Sequence, residues 1–347
     1  MIKFPPPPGL CLLAVAVLAG PFEAAALITP AGTAANSSSS AAFAPTSIWN
    51  NVGVAGDSSG EYLGNGWIIT ANHVSRSGNV INFNLTIGGT THYWLGTGTQ
   101  LGTHDIFLAH LDPDGSGNLP DAYGATGVPL ATSTPSAGTP TTLIGEGRTL
   151  SALNYYTVAG STWTNHGSTN VLGSYPVYSW GATPTKTWGT NKIWGTTASG
   201  ATVGGFPIAD FTVAGDNALA VDFSNGPYAT HDSATASETG VALNDSGSGM
   251  FVNVAGTWKL AGLVDTIDQY AGQPITAPDG TPTPLASGGL YTTTDGNDSY
   301  AIDLASYASQ INAVIATPEP TTGALLGIAG TVFAASLRRR KRSRTEA

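Results

Sequence analysis

Three short segments of the sequence carry the residue types that acyl transfer needs. In the first, 66–74, an apolar run ends in Thr-Ala-Asn and is followed by His73. The second begins at Asp105, directly before an apolar run, and the third contains Ser246 between an acid and a glycine. A serine hydroxyl becomes an effective nucleophile when a histidine takes its proton and an acid orients that histidine. The segments therefore predict nucleophilic catalysis by Ser246, with His73 as base and Asp105 as orienting acid.

The same segments resemble the motifs of the trypsin-like serine peptidases. His73 ends Thr-Ala-Asn-His, similar to the family's Thr-Ala-Ala-His, and Asp105 begins Asp-Ile-Phe-Leu, similar to Asp-Ile-Ala-Leu. Ser246 lies in Asn-Asp-Ser-Gly-Ser-Gly, where the family has Gly-Asp-Ser-Gly-Gly-Pro. The order of the three residues along the chain is also that of the family. The resemblance covers roughly residues 48–315 and implies an endopeptidase that works through an acyl-enzyme on protein or peptide substrates.

The resemblance further implies an oxyanion hole formed by the backbone N–H groups of Asn244 and Ser246. The family has glycine at the first position, and asparagine tolerates a positive φ better than most residues. Ser248, which is also flanked by glycines, is the rival nucleophile. The chain departs from the family at residues 265–267, which read Asp-Thr-Ile instead of Ser-Trp-Gly. No aspartate stands at the usual spacing for a pocket floor, so a preference for Lys or Arg is not supported.

The elements that must position these residues are short strands. Runs of four to eight apolar and β-branched residues alternate with Gly, Asn and Asp, and only 10% of the residues are charged. The one stretch with helical periodicity is Asp303–Ile315. We therefore expect an all-β fold with a C-terminal helix, and the resemblance implies two packed antiparallel six-stranded β-barrels of the trypsin-like type.

The chain divides into four parts. Residues 1–26 combine a lysine, an apolar run and Ala24-Ala25-Ala26, which is typical of a secretory signal peptide. Residues 27–45 are rich in Ala, Ser and Thr and predict a flexible leader. The peptidase domain is expected at 46–316, with the two barrels split near 135–140, and a C-terminal signal at 317–347.

The C-terminal signal contains Pro-Glu-Pro, an apolar run and a basic tail, in that order. This arrangement resembles the PEP-CTERM sorting signal, which implies processing by an exosortase after a signal peptidase has removed residues 1–26. The apolar run 321–337 predicts a short transmembrane segment and a transient membrane association. Together the two ends predict export across the inner membrane of a bacterium, to the medium, the cell surface or the extracellular matrix.

The charge distribution excludes one class of partner. Between Leu27 and Ala316 the chain has five basic and 19 acidic residues, and such a surface repels phosphate backbones. Nucleic-acid binding is therefore not expected. No metal or other cofactor is predicted at the catalytic residues. Asp112, Asp114 and Asp121 leave two readings open, a weak Ca²⁺ site or a plain acidic turn, because Tyr123 occupies the position where an EF-hand has glutamate.

A second function remains open at this point. Trp180, Trp188 and Trp194 are each followed by glycine, within 15 residues of one another. Tryptophans near turns serve as packing anchors or as a sugar-binding surface. The alternative to a peptidase is therefore a catalytically silent trypsin-fold surface or matrix protein that binds polysaccharide or protein.

Overall fold

The structure is a computed structural model of the 347-residue chain, and it describes residues 36–316 with internal gaps. The predicted signal peptide, the first part of the leader and the predicted sorting signal lie outside the described residues. The gaps are residues 75, 160–161, 198–201, 204–205, 208–215, 223–236, 238, 240, 242–244, 268, 271–273, 277–281, 285–290 and 293–297.

The first half of the described chain closes into a six-stranded antiparallel barrel. Its strands are β1 (Val52–Ala55), β2 (Ser58–Gly64), β3 (Trp67–Ala71), β4 (Val80–Ile87), β5 (Thr90–Gln100) and β6 (Ile106–Leu111), and neighbours follow the order β1-β2-β3-β6-β5-β4. Strand β4 illustrates how the sequence builds this barrel. Its residues alternate in burial, and Ile81, Phe83 and Leu85 point into the core.

The second half contains another closed antiparallel barrel of six strands. These are β7 (Pro140–Gly145), β11 (Thr187–Thr196), β14 (Ala218–Asp222), β15 (Gly249–Val254), β16 (Thr257–Ile267) and β21 (Asp298–Asp303), in the order β11-β14-β21-β16-β15-β7. Its interior holds mainly aliphatic side chains, such as Leu143, Ile193 and Val264. The predicted all-β fold of two six-stranded barrels is confirmed.

Further strands lie between those of the second barrel. The strands β8 (Arg148–Ala159), β9 (Thr162–Asn165) and β10 (Tyr175–Pro184) form a three-stranded sheet in the order β10-β8-β9. Three two-stranded pairs join β12 (Thr202–Val203) to β13 (Phe206–Pro207), β17 (Gln269–Tyr270) to β20 (Tyr291–Thr292), and β18 (Pro274–Thr276) to β19 (Pro282–Pro284).

Two α-helices flank the barrels, α1 (Thr46–Trp49) and α2 (Leu304–Ile315). The side chain of Asp303 accepts a hydrogen bond from the Ala305 N–H and so caps α2, close to the predicted start of the closing helix. The buried face of α2, with Leu304 and Ile311, joins a hydrophobic cluster to which both barrels contribute. This cluster and the helix hold the barrels together.

The end of the predicted leader makes defined contacts with the second barrel. The backbone N–H of Trp188 donates to the Asn36 carbonyl (3.1 Å), and its indole N–H donates to the Ser38 carbonyl (2.8 Å). Phe43 stacks on the same indole, with ring centroids 5.3 Å apart. From Asn36 onwards the segment therefore packs along the barrel, because the large indole offers it both an apolar face and a donor.

The expectation of a transmembrane helix needs correction. Within the described part of the chain, no helix has the length and apolar character needed to cross a membrane. The longer described helix, α2, has 12 residues, fewer than the roughly 20 that a membrane span requires. The range 321–337, on which the expectation depended, lies outside the described residues.

Candidate active site

The histidine of the site is presented by the end of β3. This strand finishes at Ala71 and the chain turns, so that His73 leaves the barrel wall with its side chain 42% exposed. Two backbone hydrogen bonds to Asp105 hold this turn. The Asn72 N–H donates to the Asp105 carbonyl (3.1 Å), and the His73 N–H donates to the Asp105 carboxylate (2.9 Å). The backbone of the histidine is thereby fixed to the acid.

The acid lies directly before β6, as the sequence predicted for its position. Asp105 is buried, and its Oδ2 accepts a short hydrogen bond from Nδ1–H of His73. The Asp105 N–H donates in turn to Oδ2 of Asp216 (2.9 Å), a buried residue just before β14. The first barrel thus supplies both histidine and acid, and the second barrel anchors the acid from behind.

The serine comes from the turn before β15, in the second barrel. Ser246 Oγ lies 2.6 Å from Nε2 of His73, and the residue is partly exposed. The Ser59 N–H of the first barrel donates to the Ser246 carbonyl (3.0 Å), which ties the turn across the interface between barrels. The structure therefore brings His73, Asp105 and Ser246 together in one hydrogen-bonded chain.

Glycine is required next to the serine. Gly247 has φ +79°, in the left-handed region, and its N–H donates to the Val264 carbonyl (2.7 Å). A Cβ at this position would lie 2.3 Å from both the Ser59 carbonyl oxygen and Thr70 Oγ1. The turn that exposes Ser246 therefore has no room for a side chain at its next residue.

The rival nucleophile is placed elsewhere. Ser248 is fully buried, and its hydroxyl donates to Ser59 Oγ (3.0 Å), which also accepts from the Glu146 N–H (2.7 Å). Ser248 thus belongs to the contact between barrels, whereas Ser246 faces the histidine. For the predicted oxyanion hole, Asn244 lies outside the described residues and Ser246 sits in the turn, so that assignment stays a prediction.

The surroundings shift the proton affinities in the direction that base catalysis needs. The hydrogen bond that His73 donates to Asp105 raises the pKa of His73 above its usual value, against the opposing effect of partial burial. Burial disfavours the charged form of Asp105, but the hydrogen bond and charge of His73 outweigh it and lower the pKa of this carboxyl. Asp105 is therefore ionised and is available to stabilise a His73 imidazolium.

Sequence reasoning missed a second carboxyl at the site, Asp265 near the end of β16. Its Oδ1 lies 3.5 Å from His73 Nδ1, and an oxygen of its carboxyl lies within 4.8 Å of an oxygen of the Asp105 carboxyl. Burial, together with the neighbouring Asp105 carboxyl, raises the pKa of Asp265 to about 8. The available signal was an acid that ends the apolar run 260–264, at the point where the chain departs from the family motif.

A second histidine–aspartate pair lies behind the site and was also missed. Nδ1 of His104 makes a short hydrogen bond to Oδ1 of Asp216, and the same oxygen accepts from the Tyr307 hydroxyl of α2 (3.2 Å). No role for His104 is predicted from the sequence. These contacts connect the backbone of Asp105, through Asp216, to the closing helix.

The possible ion sites differ from the predicted one. Among the described residues, the group whose His, Cys, Asp or Glu ligand atoms all lie within 4.8 Å of one another is His73, Asp105 and Asp265. Within this group, His73 Nδ1–H is hydrogen-bonded directly to Asp105. Asp114 and Asp121 each accept a hydrogen bond from a tyrosine hydroxyl, and Asp114 also accepts from two backbone N–H groups of its own turn. The structure thus describes 112–121 as a hydrogen-bonded acidic turn, and calcium binding there stays a prediction.

The described tryptophans on which the polysaccharide-binding alternative depends pack against the second barrel and do not form an exposed surface. Trp188 is 6% exposed and lies in the cluster shared by the barrels, and Trp194 packs against Tyr300 and two alanines of the second barrel. The side chain of Trp180 lies outside the described residues. No observation on the described tryptophans therefore favours a sugar-binding surface.

Comparison of the chain with known protein families and with curated proteins finds no match.

Proposed function

We propose that the chain is an exported serine endopeptidase, in which Ser246 is the nucleophile, His73 the general base and Asp105 the orienting acid. The observation that carries the proposal is the continuous hydrogen-bonded chain from Ser246 Oγ through both ring nitrogens of His73 to Asp105. A buried carboxylate that fixes the Nδ1–H tautomer leaves Nε2 free to accept a proton.

The geometry supports the following sequence of steps. His73 Nε2 takes the hydroxyl proton as Ser246 Oγ attacks the carbonyl carbon of the scissile amide, and a tetrahedral oxyanion forms. The imidazolium then gives that proton to the leaving amine, and the C–N bond breaks to leave an acyl-enzyme. A water molecule, deprotonated by the same nitrogen, hydrolyses the ester and restores Ser246.

A cavity opens beside the residue that follows the histidine. It has a volume of about 650 Å³ and lies against Val74, the residue after His73, with Asp57, Arg76 and Asn82 in its wall. Arg76 donates to the side chain of Asn72 (2.6 Å) and its guanidinium lies 4.6 Å from the centroid of the Phe107 ring. The arginine of this wall is thus held in place by its neighbours.

A fluorophosphonate probe is expected to label Ser246 and no other serine. Only a hydroxyl with a positioned base reacts quickly with such a probe near neutral pH. Peptide mapping by mass spectrometry identifies the labelled residue. Labelling should slow as the pH falls through the raised pKa of His73, because the imidazolium has no lone pair to accept the proton.

Two single-residue variants serve as controls for this experiment. Ser246→Ala should abolish labelling, while Ser248→Ala should keep it, since Ser248 is buried against Ser59. Folded wild-type protein that takes up no label would rule out the peptidase. Label on Ser248 would retain the reaction but refute the assignment of the nucleophile.

Export is the part of the proposal that depends on the two ends of the chain. Protein isolated from its native host is expected to begin near Leu27 and to lack the basic tail 338–347, as the signal-peptide and sorting-signal motifs imply. Intact-mass measurement of the surface-extracted protein checks both ends at once. A mass that includes residues 338–347 would contradict the sorting-signal interpretation.

A further inference from the structure

Asp265 places a second carboxyl directly behind the proposed base. It is on β16 of the second barrel, whereas His73 and Asp105 belong to the first, so the three side chains meet at the interface between barrels. Its side chain is 1% exposed and its Oδ1 lies 3.5 Å from His73 Nδ1. An oxygen of its carboxyl also lies within 4.8 Å of an oxygen of the Asp105 carboxyl. Two ionised carboxylates buried this close together repel each other. A proton on one of the two removes this repulsion and supplies a hydrogen-bond donor between them.

The hydrogen-bond donors around the pair decide which carboxyl holds it. Asp105 accepts two N–H bonds from His73, one from the backbone (2.9 Å) and one from Nδ1, and such bonds favour the ionised form. Oδ2 of Asp265 is buried and has no hydrogen-bond partner among the described residues. The proton is therefore better placed on Asp265 than on Asp105.

The other charged groups facing Asp265 reinforce this placement. Asp216, before β14, lies close enough to disfavour a negative charge on Asp265, and His73 opposes this effect when it is protonated. Behind Asp216 are His104 and Tyr307, which both hydrogen-bond to that carboxylate. Asp57 is exposed and acts on His73 from the solvent side.

We propose that Asp265 is a positioning residue that stays protonated in the active enzyme and donates its hydrogen bond to Asp105, so that a proton-sharing carboxyl pair orients His73. The inference rests on the proposed function for its catalytic consequence, but the sharing of the proton is a property of the folded protein. At neutral pH the pair carries one negative charge, and the donated bond holds Asp105 in the position that accepts His73 Nδ1–H.

Loss of the shared proton should inactivate the site. Once Asp265 ionises, the bond it donates to Asp105 is replaced by repulsion between two buried carboxylates whose oxygens lie within 4.8 Å of each other. The value of kcat/KM is therefore expected to fall on the alkaline side with an apparent pKa of about 8, the value to which burial and Asp105 raise the pKa of Asp265. On the acid side it should fall as His73 becomes protonated.

The test compares the pH profiles of kcat/KM for the wild type, Asp265→Asn and Asp265→Ala. Asparagine keeps an N–H donor toward Asp105 and does not titrate, so Asp265→Asn should stay within about threefold of the wild type at pH 7 and lose the alkaline decline. Alanine removes the donor, and Asp265→Ala should be about ten- to a hundredfold slower at every pH. A merely structural role for Asp265 would lower both rates without removing the alkaline decline.

Asp57→Asn is the matched control, since it also removes a carboxyl near His73 but one that is exposed. Its effect should be a small shift of the acid limb that disappears in about 0.5 M salt, where exposed charges are screened. The alkaline decline should remain in this variant. An alkaline limb that is equal in the wild type and Asp265→Asn would overturn the proposal.

A second measurement separates this inference from the proposed function. The NMR signal of the His73 imidazole, identified by its loss in His73→Ala, should show two inflections with pH in the wild type and one in Asp265→Asn. An inactive wild type with this pattern would refute the peptidase and keep the shared proton. An active wild type with a single inflection in both proteins would keep the peptidase and refute the shared proton.

Discussion

Replacing Asp105 with asparagine is expected to slow the acylation of Ser246 by about four orders of magnitude, the loss found for the corresponding change in a well-studied serine peptidase. Asp105 Oδ2 accepts Nδ1–H of His73, while Oδ1 accepts the His73 backbone N–H. Asparagine can satisfy the backbone donor with its oxygen, but it then presents an NH₂ group to Nδ1. The imidazole is driven into the wrong tautomer, with its proton on the nitrogen that must accept one.

The rate constant for fluorophosphonate labelling of Ser246 measures this loss without any assumption about the substrate. Asp265→Asn is the informative comparison, because the same substitution one carboxyl away should leave the neutral-pH rate nearly unchanged. Circular dichroism should report the same fold for both variants. Equal, small losses in the two would show that Asp105 does not orient the base, and a different role would then have to be found for the buried carboxylate.

The sequence identified the three central residues because each lies in a local motif. His73 and Asp105 stand at the end and the start of apolar runs, which became β3 and β6, and these strands are neighbours in one barrel. Ser246 precedes a glycine that the turn requires for its positive φ. Local pattern was sufficient because each position lies at a strand end or a turn that its own motif marks, although the contacts that hold it come from distant segments.

The residues that sequence reasoning missed depend on pairing between distant segments. Asp265 reaches His73 only because β16 crosses the interface opposite the first barrel, and Asp216 reaches Asp105 from the start of β14. No local pattern states which acid of one barrel faces which base of the other. The same holds for Lys186, which the sequence shows only as one of five basic residues between Leu27 and Ala316.

Lys186 is a buried cation that joins the two barrels. Located just before β11, it donates from Nζ to the carbonyls of Trp49 (3.1 Å) and Val52 (2.6 Å) and lies 3.8 Å from Oε1 of Glu146. The ammonium also lies 5.0 Å from the centroid of the Trp49 ring. Burial raises the pKa of Glu146 and that of the neighbouring Glu61, and the charge of Lys186 opposes both shifts. One buried ammonium group thus donates hydrogen bonds to two backbone carbonyls and favours the ionised form of two buried carboxyls.

Lys186→Met is therefore expected to lower the free energy of unfolding at pH 7 by about 3–5 kcal/mol, the usual effect of removing one partner from a buried ion pair. For a domain of this size that corresponds to a fall in Tm of roughly 10 °C. Methionine fills much of the volume of the lysine stem, so the loss reports the missing ammonium and not a cavity. Lys192→Met, in β11 itself but partly exposed, should change stability by about 0.5 kcal/mol or less.

The loss of unfolding free energy in Lys186→Met should depend on pH if it arises from the missing charge. The folded-state pKa of Glu146 is raised, so its neutral form is favoured in the folded protein below the ordinary glutamate pKa, and this stabilisation is lost as the pH rises through the folded value. Without the ammonium of Lys186 that folded pKa rises further, and the carboxyl stays neutral over a wider range. Thermal unfolding should therefore show a smaller difference between Lys186→Met and wild type at pH 5 than at pH 8. A difference of the same size at both pH values would mean that Lys186 acts through packing and its carbonyl contacts alone, and would refute the assignment of a buried ion pair at the junction of the barrels.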